Sequence, residues 1–152
     1  MPNLRFISPQ DDATLADWQH VHNTIIPTDP LSLDVLRERR RRYRLEVAYV
    51  DDVAVGCSTV RPPDDETPNV TVIARILPPH RRQGLGRLLY ARCLDVAATL
   101  GGAGIETVVL ASNTEGLAFA RALGFEEVET YLLDGATIPY VALALPGRGC
   151  AA

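Results

Sequence analysis

A run of glycine and arginine, "ILPPHRRQGLGRLL", holds the residue types and spacing best suited to chemistry. Gly84 and Gly86 stand where an apolar, strand-like run gives way to a helical pattern. The first N–H groups of a helix have no partner inside it and carry about half a unit of positive charge, so they attract anions. Glycines remove the Cβ atoms that would keep a phosphate away, and Arg81, Arg82 and Arg87 add positive charge. The stretch therefore predicts a cradle for a phosphate or diphosphate.

The two common nucleotide-binding glycine motifs do not match this stretch. A Walker loop needs a lysine after its last glycine, and the sequence contains no lysine. A dinucleotide-binding fingerprint needs a third glycine, but that position is Leu89. The spacing that does occur is R-x-x-G-x-G, from Arg81 through Gly84 to Gly86. A third kind of cradle is therefore indicated.

Other groups of reactive residue types favour structural roles. The three cysteines form no disulfide framework, and Cys57 and Cys93 lie in apolar patterns typical of buried, reduced thiols. His20 and His22 do not share a helix face and no metal-binding motif occurs, so no metal is expected. The run "RERRRRYR" is predicted to be a solvated helix face, because the net charge is −4 and aromatic residues are few. No nucleic-acid partner is expected.

Length and composition predict a cytoplasmic protein of ordinary domain size. The chain has 152 residues, of which 47% are hydrophobic and 22% charged, as in globular proteins with their own core. No apolar run approaches the ~20 residues that cross a bilayer. The N-terminal "MPNLRFISPQDD" has an acidic pair where a signal peptide would be apolar. Neither export nor membrane association is therefore expected.

Hydrophobic periodicity predicts an order of β-α-α-β-β-β-α-β-α-β-β. A helix ends near Ile25, and Ser32 or Asp34 is expected to cap the next one. The runs "LEVAYV" and "VAVGCSTV" are predicted to form an antiparallel hairpin, and "VTVIARIL" a buried strand. After the glycine-rich helix, the strand "IETVVLAS" precedes a helix that Gly124 ends, and "EEVETYLL" and "IPYVALAL" are the last strands. This order predicts an α/β fold whose mixed sheet is flanked by helices.

Two sequence blocks resemble those of the GCN5-related N-acetyltransferases, the GNAT superfamily. The first, "ILPPHRRQGLG", looks like the family's coenzyme A signature, and the second is "NTEGLAFARALGF". The element order is also similar over nearly the whole chain. The resemblance implies a single GNAT domain over residues 1–146, with a mixed, mostly antiparallel sheet whose central parallel strands splay apart. Residues 147–152 are expected to form a disordered tail.

The resemblance implies that acetyl-coenzyme A is the co-substrate and is bound largely by backbone groups. In the family, N–H groups after the start of R-x-x-G-x-G bind the pyrophosphate, and the end of the preceding strand pairs with the pantetheine arm. One N–H of that strand faces the thioester oxygen, an oxyanion-hole arrangement. The implied coenzyme-binding residues are Ala74, Arg75, Ile76, Arg81, Arg82, Gln83, Gly84, Leu85, Gly86, Arg87 and Asn113.

The implied reaction is direct acetyl transfer from the thioester to an amine of a small-molecule or peptide acceptor. The family's usual tyrosine acid corresponds to Ala120, and its usual glutamate base corresponds to Val70. Neither residue can transfer a proton. Candidates that would replace them are Glu66, Tyr131 and Tyr140. The alternative is a non-catalytic module that binds coenzyme A.

The acceptor site is implied to lie beside the first two helices, as in the family. This places Ile25, Ile26 and Pro27 at its rim, and Asp29 is predicted to meet a cationic acceptor. The last two strands are expected to be sheet edges that would support a homodimer.

Overall fold

The computed structural model describes residues 3–145, and its strands and helices follow the predicted order. The predicted tail, residues 147–152, lies outside the described residues. The strands are β1 (Leu4–Ile7), β2 (Arg44–Val50), β3 (Val53–Arg61), β4 (Val70–Ile76), β5 (Ile105–Leu110), β6 (Glu126–Tyr131) and β7 (Tyr140–Ala144). The helices are α1 (Asp12–Ile25), α2 (Leu33–Arg42), α3 (Leu85–Ala98) and α4 (Thr114–Ala122), and a 3₁₀ turn spans Pro78–His80.

The strands form a mixed sheet in the order β1-β2-β3-β4-β5-β7-β6. Strands β4 and β5 are parallel and pair only where Val70 meets Ile105 and Thr71 meets Glu106. The predicted α/β class with a mostly antiparallel sheet is confirmed. Strand β7 pairs with both β5 and β6, so the prediction that it is a sheet edge is wrong. The homodimer itself stays a prediction.

The chain divides into two compact units. The first, here the N-terminal unit, comprises the described parts of Met1–Arg61 and Ile73–Val96. The second, the C-terminal unit, comprises Pro62–Val72 and the described part of Ala97–Ala152. The single domain over residues 1–146 stays a prediction.

Helices α1 and α2 of the N-terminal unit begin at side-chain caps. An Asp11 carboxylate oxygen accepts from the Thr14 N–H at 2.8 Å, and the Ser32 hydroxyl accepts from the Val35 N–H at 3.2 Å. These bonds satisfy donors that the helices leave unpaired, so Ser32 is the cap of the two that were predicted. The two helices cover one face of β2 and β3. The cluster buried there contains Leu15, Trp18, Val21, Leu31, Leu36, Leu45, Val47, Cys57 and Leu77.

The other face of β2 and β3 packs against α3, because side chains alternate between the faces of a strand. Its buried cluster contains Ala48, Val55, Ile76, Leu85 and Leu89. Gly56 lies beneath this cluster, where an added Cβ would stand 2.6 Å from the Arg75 carbonyl oxygen and 2.7 Å from Ile76 Cδ1. Only glycine allows strands β3 and β4 to approach this closely. The approach positions the segment that joins β4 to α3.

An ion pair between buried Glu46 and partly exposed Arg92 also anchors α3. The Glu46 carboxylate of β2 accepts two hydrogen bonds from the Arg92 guanidinium, at 2.9 and 2.8 Å. The predicted burial of Cys57 and Cys93 is confirmed. Burial raises the pKa of both thiols to about 12, so both are protonated and unreactive at neutral pH.

The C-terminal unit contains β5, β7, β6 and α4. Gly101, with a φ of 71°, and Gly124, with a φ of 100°, adopt the left-handed conformation predicted for glycines that end helices. None of the helices within residues 3–145 is both long and apolar enough to cross a bilayer.

Candidate active site

The segment from β4 to α3 turns sharply at the end of the strand. The Leu77 N–H donates to the Val55 carbonyl at 2.8 Å, and the two prolines that follow have no N–H to extend the strand. The Arg81 side chain folds back, and its Nε donates to the Ile76 carbonyl at 2.9 Å. Arg81 was predicted to surround a phosphate with charge. Its Nε holds the turn in place, and the contact of Arg81 with a phosphate stays a prediction.

Two residues of the turn have left-handed backbone angles, Arg82 with a φ of 66° and Gly84 with a φ of 79°. Alternation of this kind points successive N–H groups in one direction and makes an anion-binding concavity. A Cβ added at Gly84 would meet no protein atom within 4 Å. Glycine is therefore required by the backbone angle, and the space in front of it is open.

The start of α3 adds further donors to this concavity. The first hydrogen bond of the helix runs from the Leu88 N–H to the Gly84 carbonyl, at 3.4 Å. Within residues 3–145, none of the N–H groups of residues 82–87 has a hydrogen-bond partner. Arg82, Gln83 and Arg87 expose their side chains beside these donors. Such a row of donors suits an anion with several oxygens, and the binding of a pyrophosphate here stays a prediction.

Buried side chains hold the cradle on the N-terminal unit. Leu85 and Leu89 of α3 and Ile76 of β4 belong to the cluster beneath the helix, and Ala74 packs against it. Arg75 points to the opposite face, since neighbouring residues of a strand alternate. The predicted pantetheine-binding residues therefore lie on a strand that packs against α3 on one face.

The opposite face contains a buried histidine, His22, which is 5% exposed and stacks on Trp18 with ring centroids 5.3 Å apart. Its Nδ1 lies 2.9 Å from the Asn23 amide oxygen and must donate, because that oxygen only accepts. Burial, together with the positive charge of Arg75, lowers the pKa of His22 to about 4. His22 is therefore neutral at physiological pH and too weakly basic to deprotonate an amine.

The connection between α1 and α2 is the predicted rim of the acceptor site. The Asn23 amide oxygen accepts from the Leu31 N–H at 2.9 Å, and its amide nitrogen donates to the Leu31 carbonyl at 3.1 Å. Ile26 is 2% exposed, so its side chain belongs to the interior. Pro27 is exposed and Asp29 partly exposed, and these two residues present their side chains at the surface. Ile25 packs partly buried against the core.

Asn113 lies in the C-terminal unit, where it caps α4. Its side-chain oxygen accepts from the Gly116 N–H at 2.9 Å. A Cβ added at Gly116 would stand 2.5 Å from the Asn113 amide nitrogen, so the glycine makes room for the cap. Capping is the contact the structure gives this residue, and its contact with the pantetheine arm stays a prediction.

The three predicted proton-transfer candidates also lie in the C-terminal unit. Tyr131 of β6 and Tyr140 of β7 are paired across the strands, and their rings stack with centroids 5.8 Å apart. Tyr140 is buried. Glu66 is exposed in the loop before β4, and its N–H donates to an Asp64 carboxylate oxygen at 2.9 Å. The structure thus brings the tyrosines together and places Glu66 in a separate loop.

A family model now decides the relationship, because the model described as "Acetyltransferase (GNAT) family" matches residues 10–125. The chain belongs to the GNAT acetyltransferase family. Residues 10–125 include the cradle and both of the blocks that resemble the family. The search of curated proteins finds no match to this GNAT sequence.

Solved structures share the fold of this GNAT chain. The ribosomal-protein-S18-alanine N-acetyltransferase of Escherichia coli is 22% identical, with 95% of this chain and 94% of that chain covered and a TM-score of 0.74. YncA of Salmonella typhimurium, solved with its cofactor acetyl-CoA, is 20% identical, with 95% and 92% covered and a TM-score of 0.74. The ribosomal-protein-alanine N-acetyltransferase of Brucella melitensis is 19% identical, with 93% and 98% covered and a TM-score of 0.72. At such identities the likeness establishes the fold.

The two positions where this GNAT chain departs from the family pattern are buried. Val70 is 1% exposed and Ala120 is 5% exposed. Both residues belong to the apolar interior, so neither position has a side chain that can take up or release a proton.

Sequence reasoning missed a basic group on the α1–α2 side. Most of "RERRRRYR" is a solvated face, as predicted, and Arg37 pairs with Asp12 at 2.9 Å. Arg39, in contrast, is partly buried and lies near Arg61 of β3. The signal was its helical spacing from the buried Leu36, which puts it on the inward face of the helix.

Proposed function

We propose that this GNAT protein is an acetyl-CoA-dependent N-acetyltransferase that acts on an amine of a small molecule or peptide. The observation that carries the proposal is the row of unpaired N–H groups at residues 82–87, with open space in front of Gly84. Family membership supports acetyl transfer as the reaction. The fold is also that of YncA, which was solved with acetyl-CoA.

The cradle residues would bind the coenzyme by its pyrophosphate. The N–H groups of residues 82–87 would donate to the phosphate oxygens, and exposed Arg82 and Arg87 would neutralise their charge. Residues 74–76 of β4 would pair with the pantetheine arm, and an N–H of this strand would face the thioester oxygen. Asn113 would lie near the arm. Acetyl-CoA supplies the activated thioester carbonyl.

Proton transfer is the step for which the usual residues are missing. A simple alkylamine has a pKa of about 10 and must lose a proton before it attacks. General acid–base help is worth roughly 10²–10⁴-fold, and Val70 and Ala120 supply none. We propose Glu66, Tyr131 and Tyr140 as replacements. A conservative change at each candidate residue tests its role by the effect on kcat for thiol release. The changes are Glu66→Gln, Tyr131→Phe and Tyr140→Phe.

The second candidate function is a non-catalytic module that binds coenzyme A. The apolar, buried residues at both proton-transfer positions favour it. Two measurements separate the candidates, calorimetric titration with acetyl-CoA and thiol release with a panel of amines and peptides. Binding with thiol release supports the transferase, and binding without thiol release for any amine supports the module. Absence of binding at millimolar acetyl-CoA contradicts both.

We also propose a cellular compartment, a set of partners and an oligomeric state for the protein. The acidic balance and the absence of an apolar spanning run support a cytoplasmic protein without nucleic-acid or membrane partners. A homodimer would use the edge strand β6.

A further inference from the structure

Two arginines on the α1–α2 side of the N-terminal unit have no counter-ion. Within residues 3–145, neither Arg39 nor Arg61 forms a salt bridge or a side-chain hydrogen bond. The Nε of Arg61 is buried and has no hydrogen-bond partner. The neighbours on α2 differ, since Arg37 pairs with Asp34 at 2.6 Å and Arg40 donates to a backbone carbonyl. Arg39 and Arg61 thus differ from Arg37 and Arg40, whose guanidinium groups have hydrogen-bond acceptors within the described residues.

Arg61 lies beside the ring of Tyr43, the residue that follows α2, and the guanidinium carbon of Arg42 stands 5.2 Å from the centroid of the same ring. The Arg61 guanidinium carbon stands 5.3 Å from the ring centroid, a cation–π distance. Arg39 is one helical turn before Tyr43, whose N–H donates to the Arg39 carbonyl at 2.8 Å. Stacking on an aromatic ring fixes the direction of a guanidinium and leaves its edge free for an oxyanion. Arg61 thus presents a preorganised donor edge.

The positive charges of Arg39 and Arg61 repel each other, and both side chains are partly buried. Burial lowers the pKa of Arg39 below its usual range, and the charge of Arg61 lowers it further. The negative charge of Asp29 acts in the other direction on Arg39. Unpaired charges that are half removed from water cost free energy, and an anion between them would recover it.

The cluster also lies on the side of the molecule where the acceptor is predicted. Asp29 belongs to the predicted acceptor rim, and its charge acts on both Arg39 and His22. The charge of Arg75, on strand β4, acts on His22 as well. Arg39 therefore lies close enough to His22 and Asp29 for their charges to interact.

We propose that Arg39 and Arg61 bind an oxyanion of the acceptor, so that the acceptor is an amine that also carries a carboxylate or a phosphonate. An amino acid is the simplest such molecule. This inference rests on the proposed acetyl transfer and names the substrate class.

Matched acceptors that differ only in the anion test the proposal. We would compare amino acids with their amides, and aminoalkylphosphonates with the corresponding aminoalcohols, by kcat/KM for thiol release from acetyl-CoA. A charge-assisted bond contributes enough to expect the anionic member to be favoured about 10- to 100-fold. The carboxylate and phosphonate pairs show which oxyanion fits. Equal or better use of the neutral members overturns the proposal.

Variants then assign the preference to the two arginines. In Arg39→Gln and Arg61→Gln the ratio of acid to amide should fall towards one, through a higher KM for the acid. Arg41→Gln is the matched control, because it removes the same charge from an exposed position of the same helix. Arg61→Lys retains the charge without the planar fork and should restore only part of the preference. An equal loss in Arg41→Gln contradicts a role for the cluster.

A binding measurement keeps the inference separate from acetyl transfer. With coenzyme A saturating the cradle, inorganic phosphate is titrated into wild-type protein and into the Arg39→Gln, Arg61→Gln double variant. Binding to wild type that the double variant loses supports the oxyanion site, even if no amine releases thiol. In that case the proposed transferase fails and the site stands. No phosphate binding to wild type, or binding that the double variant retains, overturns the site.

Discussion

Replacing Gly84 by alanine tests the cradle, because the change adds one methyl group where the coenzyme is expected. Gly84 has a φ of 79°, and an added Cβ meets no protein atom within 4 Å. A left-handed alanine costs about 1–2 kcal/mol in strain, and the stiffer unfolded chain returns about 0.4–1 kcal/mol. We therefore expect the free energy of unfolding to fall by about 1 kcal/mol.

The effect on the coenzyme should be larger than the effect on stability. The methyl group would stand in front of the N–H groups of residues 82–87 and displace a phosphate from at least one of them. A hydrogen bond to a charged group is worth about 1.5–3 kcal/mol, so the dissociation constant for acetyl-CoA should rise about 10- to 100-fold. Calorimetric titration measures this constant, and urea unfolding measures the stability.

Two other glycines provide controls with the same backbone strain. Gly101 has a φ of 71° and Gly135 a φ of 79°, and an added Cβ at either meets nothing within 4 Å. Alanine at each should lower stability as at Gly84 and leave acetyl-CoA binding unchanged. The reasoning is refuted if Gly84→Ala binds acetyl-CoA as tightly as wild type. It is also refuted if all three variants lose affinity equally.

Two further changes test the packing of the N-terminal unit. Folding lowers the pKa of His22 from its usual 6.5 to about 4. Between these two values the folded protein binds fewer protons than the unfolded chain. The free energy of unfolding should therefore fall by about 2–3 kcal/mol as the pH drops from 7 to 4. Urea unfolding at several pH values measures this dependence of the free energy of unfolding on pH. His22→Gln should reduce the dependence, and the control His20→Gln, on the exposed face of the same helix, should not. Equal pH dependence in wild type and both variants would contradict a buried, neutral histidine. Gly56→Ala places a Cβ 2.6 Å from the Arg75 carbonyl oxygen and should lower the free energy of unfolding by about 1–3 kcal/mol. Urea unfolding measures this loss as well. An unchanged unfolding midpoint would show that strands β3 and β4 approach less closely.

The order of strands and helices could be predicted because its signals are local. Ser32 caps α2 and Gly124 ends α4, as single side chains and backbone angles dictate. The hairpin turn between β2 and β3 is also local, since Asp51 and Asp52 adopt left-handed angles that aspartate tolerates. The position of β7 within the sheet was not predictable in this way, because strand pairing depends on long-range contacts.

The cradle could be predicted better than the roles of individual side chains within it. The spacing of Gly84 and Gly86 before an apolar helix indicates free N–H groups, and the structure has them. The same spacing does not show that Arg81 folds back on the Ile76 carbonyl or that Asn113 caps α4. Side-chain direction depends on which neighbouring groups need a partner, and those neighbours are known only after folding.

The sequence by itself determined what the chain can hold at the turn from β4 to α3. Backbone N–H groups at a helix start need no help from distant residues, so the prediction of an anion site follows from glycine spacing alone. The tertiary structure decided the environment of Arg39, which the sequence placed in a solvated basic run. Folding brings Arg61, from the end of β3, close enough for its charge to act on Arg39, and leaves both side chains partly buried. Two like charges that are far apart in the sequence repel each other appreciably only after folding has brought them close together.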